Sequence, residues 1–208
     1  MSAEVPVFIN AAVEGIVDEA VVKRLIKFVG GTPSGVFGKN GKSQLRMKIN
    51  GYNNAAHLTP WVVLVDLDHD TECAPLLRNE WLPHPASKMC FRVAVHEVET
   101  WLLADRVRIA RFLGVSQSVV PRDPETIDDP KKAMVDLAKR SRWRAISEDM
   151  VPREGSGRPV GPAYTSRLME FAGRAWSPEE AMDVSDSLRR CVECLRKLVK
   201  RSLARERS

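Results

Sequence analysis

Asp66, Asp68 and Asp70 stand at alternate positions directly after the apolar run Trp61-Val62-Val63-Leu64-Val65. Such a valine-rich run fits a buried parallel strand that ends at a polar cleft. While the backbone stays extended, alternation sends the three carboxylates to one side. Carboxylates about 4 Å apart repel by roughly 4 kcal/mol per pair at an effective dielectric of about 20, so a cation or a shared proton must hold them together. A hard divalent ion bound by oxygen is the simplest answer. Read alone, the run is equally a strand followed by a solvated acidic turn.

Two more groups of acids stand at comparable junctions. Glu14-Gly15-Ile16-Val17-Asp18-Glu19 joins a first strand, expected over Val5-Pro6-Val7-Phe8-Ile9 with a turn at Asn10 to Val13, to a helix that Gly30-Gly31 stops. Once that helix has begun, Glu14 and Asp18 lie one turn apart on a common face, although negative charge at a helix start is also ordinary dipole complementation. His96-Glu97-Val98-Glu99 follows a strand expected over Met89 to Val95 and opens a helix through Asp105. The zinc-protease pattern His-Glu-x-x-His fails there, because Thr100 occupies the second histidine's place. His96 and Glu99 can share a face of that helix while Glu97 points elsewhere; they either cap the helix start or close the acidic pocket.

The stretch Gly35-Val36-Phe37-Gly38-Lys39-Asn40-Gly41-Lys42-Ser43 invites a phosphate-loop reading that its spacing rejects. Such a loop needs four residues before Gly-Lys-Ser, whereas Gly35 gives five and Gly38 gives two. A short second strand around Val36-Phe37 and a flexible basic loop fit better, with Lys39 and Lys42 free to touch nucleic-acid phosphate or simply solvated. A helix is expected from Ser43 to Ala56. Another helical or irregular segment runs from Ala74 to Trp81, closed by Pro83 and Pro85.

Beyond Asp105 the alternation of strand and helix stops. Arg106 to Leu113, Pro130 to Lys139, Ala163 to Ala172 and Pro178 to about Leu203 read as helices. Gly155 to Pro162 is a loop in which Arg158, with Arg153 just before it, makes nucleic-acid or partner contact possible. The chain divides into a core over residues 1–105 and a helical elaboration over 106–208 that packs on it. Its 208 residues leave no room for a second full enzyme. The fold class is therefore α/β, an open parallel sheet of about four strands flanked by helices, with ligands expected at the carboxyl ends of the strands.

Composition narrows the functional classes. No window approaches the apolar length of a membrane span, and the start lacks a basic-then-apolar leader, so the expectation is a cytoplasmic chain with reduced thiols and no membrane partner. Cys191-Val192-Glu193-Cys194 falls within an apolar helical stripe, which favours small core residues over zinc ligands. The net charge of +5, with basic blocks at Lys139 to Arg144 and Lys197 to Arg207, permits a polyanionic partner.

This order of elements resembles the Toprim domain, the metal-binding catalytic module of primases, topoisomerases and OLD-like nucleases. Glu14-Gly15 looks like its glutamate motif and Asp66-Leu67-Asp68 like its Asp-x-Asp motif. The segment Val95 to Asp105 is similar to one in small stand-alone bacterial Toprim-like proteins, as is Gly161-Pro162-Ala163-Tyr164. The resemblance implies that Glu14, Asp18, Asp66 and Asp68 hold one or two Mg²⁺ or Mn²⁺ ions, with Glu99 or Glu97 as a further acid. It implies hydrolysis of DNA or RNA phosphodiesters, DNA more readily than RNA, in defence against phage or mobile DNA. An ATPase partner on a separate chain and a homo-oligomer are compatible with it. A lysine near the site would stabilise the transition state, and Lys88, just before the fourth strand, is the residue expected in that role. Topoisomerase chemistry is disfavoured, since only Tyr52 and Tyr164 are present. The alternatives are a non-catalytic Toprim-like subunit that binds nucleic acid or a partner, and a phosphatase of the haloacid dehalogenase type. The latter expects its Asp-x-Asp on the first strand and Thr or Val where Asp70 stands.

Overall fold

The computed structural model describes residues 6–68 and 71–206, with side chains through 204. The sequence expectations that involve Asp70, Val5 and Arg207 lie outside the described residues. Four strands, β1 (Phe8–Val13), β2 (Thr32–Gly38), β3 (Trp61–Asp66) and β4 (Met89–Ala94), form one sheet in the order β2-β1-β3-β4. Every pairing is parallel. Helices α1 (Ile16–Phe28), α2 (Lys42–Ala55) and α3 (Ala74–Trp81) make the crossovers, as parallel pairing requires.

Alternating side chains divide the sheet between two cores. Ile9, Ala11, Val13, Val62, Leu64, Cys90 and Ala94 face α1 and the helices that follow β4. Ala12, Trp61, Val63, Val65, Phe91 and Val93 face α2 and α3 through Leu45, Ile49, Leu77 and Trp81. Both sides of β3 are therefore buried, which explains its unbroken apolar sequence. The chain then continues as α4 (Val98–Ala104), α5 (Arg106–Leu113), α6 (Pro130–Lys139), α7 (Arg144–Met150), α8 (Tyr164–Arg174), α9 (Pro178–Met182) and α10 (Asp186–Glu206). Among the described residues no helix is long and apolar enough to cross a membrane.

Several elements depart from the sequence expectation. The first strand runs through the supposed turn, because Ala11, Ala12 and Val13 are fully buried at the centre of the sheet. Asn10 interrupts the apolar pattern where β1 shifts register against β2, and its Oδ1 accepts the Gly35 N–H at 3.3 Å. The second strand is likewise longer than expected, and Pro33 is tolerated because β2 is an edge. The helix after β4 begins only at Val98, since His96 takes a left-handed backbone with φ of 59°. The short helix α7 was not evident in the sequence. The expected continuous helix from Pro178 is broken between α9 and α10, where Glu125 Oε1 accepts Ser185 Oγ at 2.7 Å and the Ser187 N–H at 2.9 Å.

The elaboration and the sheet share one core. Trp101 and Trp176 are fully buried in it; the Trp176 indole donates to the Trp101 carbonyl at 3.1 Å, and the Trp101 indole to Ser187 Oγ at 2.7 Å. Leu168, Phe171, Leu188 and Leu195 belong to the same cluster as Ile9 and Leu64. Residues 106–204 thus cover one face of the sheet instead of adding a separate core. Urea unfolding of the full chain should show one transition with coincident fluorescence and circular dichroism. A fragment ending at Asp105 should lack cooperative unfolding, whereas two separate transitions would show independent domains.

Candidate functional site

In the order β2-β1-β3-β4 the chain reverses direction of growth between β1 and β3, and the crevice outside their carboxyl ends is where such sheets place ligands. Glu14 follows β1 directly and Asp66 closes β3. Glu14 Oε1 accepts the backbone N–H of Asp66 at 2.8 Å, joining the two strand ends through a side chain. Asp66 Oδ1 in turn accepts the Val98 N–H at 3.0 Å. A carboxylate from β3 therefore caps α4, with favourable charge at the helix start.

The remaining acids gather around this pair. Asp18, in the first turn of α1, is 5% exposed, and Gly15 leaves it room: a Cβ on Gly15 would sit 3.0 Å from Asp18 Oδ2. Glu99, in the first turn of α4, is 4% exposed and accepts the Tyr164 hydroxyl at 3.3 Å from the start of α8. Glu97 Oε1 holds Lys131 of α6 at 2.8 Å. Asp68 leaves the extended form with φ of 48°, so it does not continue the strand's alternation. Its backbone N–H donates to the His96 carbonyl at 2.9 Å, and its Oδ2 meets Lys42 Nζ at 2.9 Å. The site opens through a cavity of about 460 Å³ lined in part by Asp68, Glu97, Asp128, Asp129 and Lys131.

This concentration of carboxyls in a buried place shifts their titration. Burial pushes Glu14 up to about 7, with the Asp66 N–H and Lys42 opposing. Burial likewise raises Asp18 to about 6, against backbone N–H groups at Asp18 and Gly15. Glu99 rises to about 7 by burial, with Lys131 opposing and Glu97 adding. Asp66 is raised well above its usual range, first by burial and then by Asp18, Glu99, Glu14 and Asp68. Burial works against the Lys131 ammonium, but Glu99 and Glu97 outweigh it and keep it charged. Burial and the same two acids hold the Tyr164 phenol neutral, so it can donate to Glu99.

Carboxylate oxygen is the donor type that a hard cation takes. All the acids offer oxygen, and Asp18 Oδ1 and Glu97 Oε2 are buried without a hydrogen-bond partner among the described residues. Among the described residues no three His, Cys, Asp or Glu side chains stand in a ready ligand arrangement. The contacts explain why: Glu14 and Asp66 are each drawn onto a backbone N–H, while Asp68 and Glu97 each hold a lysine.

The other residues selected from the sequence lie elsewhere or turn differently. Lys88 precedes β4 at the amino end of the sheet, where its Nζ donates to the Leu58 carbonyl, so the full length of the strands separates it from the acids. Lysines do stand at the acids, but they are Lys42 and Lys131. Lys42 is held inward on Asp68 and on the Leu67 carbonyl at 3.2 Å, and Lys39 pairs with Glu19 at 3.0 Å. Their loop is pinned to the end of β1, with the Gly41 N–H on the Glu14 carbonyl at 3.1 Å. Gly38 turns there at φ of 85°, where a Cβ would strike the Val13 carbonyl oxygen. Arg153 and Arg158 are exposed in the loop before α8. Glu97 reaches the site along with Glu99, and His96 also lines the cavity, with its Nε2 at 3.1 Å from the Glu125 carbonyl. Lys131 and Asp129 carried no sequence signal, because only the packing of α6 against α4 brings them in.

The raised carboxyls determine how stability follows pH. In the folded chain they keep protons that the unfolded chain has released, so the native state binds more protons between the ordinary value of 4.5 and about 7 for Glu14 and Glu99. Their contribution is fully present below that window and is lost as pH rises through it. In chelator-treated buffer the Tm of wild type should therefore fall more between about pH 5 and about pH 8 than that of Asp66→Asn, which removes one repelling charge and keeps the acceptor for Val98. Parallel pH profiles for the two proteins would contradict this electrostatic account. No family model, curated protein or solved structure matches the chain.

Proposed function

We propose that the chain is a Toprim-type, metal-dependent nuclease that hydrolyses phosphodiester bonds in DNA or RNA. The observation that carries this reading is the hydrogen bond from the Asp66 N–H to Glu14, which gathers acids from the exits of two strands at the sheet's switch point. Glu14, Asp18, Asp66 and Asp68, with Glu97 or Glu99, would hold one or two Mg²⁺ or Mn²⁺ ions. Such ions supply Lewis-acid polarisation of the phosphoryl group, a lowered pKa for attacking water and charge stabilisation of the leaving oxygen.

The chain's own residues have distinct tasks in this scheme. The Asp66 N–H holds one Glu14 oxygen and the Val98 N–H holds one Asp66 oxygen, so the second oxygen of each would be left for a cation. Tyr164 orients Glu99 from α8, and Gly15 leaves room for Asp18. Lys42 and Lys131 stand beside the acids and would meet the non-bridging oxygens of a phosphate entering the cavity. Exposed Arg153 and Arg158 would track the nucleic-acid backbone. A setting in phage or mobile-element defence and an ATPase on a separate chain belong to the same proposal and rest on the resemblance alone. The geometry favours this chemistry over an aspartyl-phosphate phosphatase, because Asp66 is buried and engaged as a helix cap.

A non-catalytic Toprim-like binding subunit is the second reading, favoured by the pairing of Lys42 and Lys131 with Asp68 and Glu97, which neutralises two of the acids internally. Incubation of plasmid DNA with purified protein and Mn²⁺ or Mg²⁺ separates the two. Wild type should nick or linearise the plasmid, and Glu14→Gln and Asp66→Asn should lose activity by about 100-fold or more while melting normally. Equal cutting by wild type and both variants would remove the site assignment, and no cutting by any of them would favour the binding subunit.

A further inference from the structure

We propose that a second pocket, at the open edge of β4, binds a phosphoryl group through Arg78 and Arg92. This pocket, about 340 Å³ in volume, lies where the starts of α3 and α10 meet β4. It adjoins the acid site through Leu67 and Val95, yet shares none of that site's acids and does not depend on the nuclease reading.

The argument begins with unmet guanidinium chemistry. Arg92 projects from β4 on the face of Cys90 and Ala94, and Arg78 comes from α3. They are close enough that burial and the charge of Arg92 together lower the Arg78 pKa. Two like charges would not be held together at a half-buried edge without an anion to offset them. Among the described residues neither guanidinium has a carboxylate partner, and the Nε of each is buried with no acceptor.

The acids at the rim do not fill this role: Glu72 is exposed and makes no ion pair with either arginine among the described residues. Asp186 is held by Arg189 and Arg190, and Glu125 accepts from Ser185 and Ser187. Cys194 lies against Arg92 and has a thiol lowered to about 6, mainly through Cys90 and then Arg92. One soft sulfur still leaves both Nε–H groups unsatisfied. Arginine forks match the tetrahedral oxygens of a phosphate, and paired forks bind it from two sides. Ala74, Pro75, Val93 and Val95 add apolar wall, and the volume falls in the range of small-ligand sites. The shared chemistry is a terminal phosphate, whether inorganic, on a mononucleotide or at a nucleic-acid end.

Calorimetry on the full chain tests this with inorganic phosphate, AMP, and an oligonucleotide with and without a 5′-phosphate. Saturable phosphate binding is expected, weakened by about tenfold or more in Arg92→Gln and in Arg78→Gln. Preference for AMP identifies a nucleotide site, and preference for the phosphorylated oligonucleotide over its unphosphorylated twin identifies a strand-end site. If either variant fails to melt cooperatively, arginine-labelled NMR of wild type decides: phosphate should shift both buried Nε–H resonances. Absence of phosphate binding by wild type overturns the proposal, as do folded variants that bind like wild type or unmoved Nε–H resonances.

Discussion

A single side-chain-to-backbone hydrogen bond, from the Asp66 N–H to Glu14, ties together the two strand ends on which the acid site is built. β1 and β3 are neighbours in the sheet and their pairing runs only from Asn10 to Ala12 on the β1 side. Beyond that point the backbones part, and a carboxylate takes over where ladder bonds cease. Asp66 repeats the device one step further by capping α4. Strand, strand and helix are thus joined by carboxyl groups, and neither of these two contacts could be made by an apolar residue of the same size. This chain of acceptors makes the acidic character of the site part of the fold.

The same arrangement has an electrostatic cost. Burial raises Glu14, Asp18, Asp66 and Glu99, and their mutual repulsion adds to it. Lys42 from the start of α2 and Lys131 from α6 offset part of that cost. Among the described residues nothing hydrogen-bonds to the buried Asp18 Oδ1 and Glu97 Oε2. A protein under no functional constraint gains stability by replacing such groups with apolar residues. A cation of the proposed kind, bound at the crevice where parallel sheets receive ligands, would relieve that repulsion.

Much of this could be read from the residues. The valine-rich run before Asp66 is the central strand, and each acid chosen from the sequence except the undescribed Asp70 lies at the carboxyl end of the sheet. What escaped was set by distant packing. The extent of β1 was hidden by Asn10, whose amide serves the neighbouring strand. The break before α10 was hidden because Ser185 and Ser187 read as ordinary helix residues until Glu125 is placed against them. Lys88 was chosen for its nearness in sequence to β4, but a parallel strand delivers its first and last residues to opposite ends of the sheet. Lys131, far along the chain, supplies the charge at the acids because α6 packs against α4.

The central claim is that these acids are gathered to share a cation, and titration of the metal-free protein with Mn²⁺ near neutral pH tests it most directly. The account predicts saturable binding, weakened by about 10- to 100-fold in Asp18→Asn, since the buried Oδ1 of Asp18 has no hydrogen-bond partner among the described residues. Heats of dilution alone from the wild type, or equal affinity in wild type and a folded Asp18→Asn protein, would contradict it.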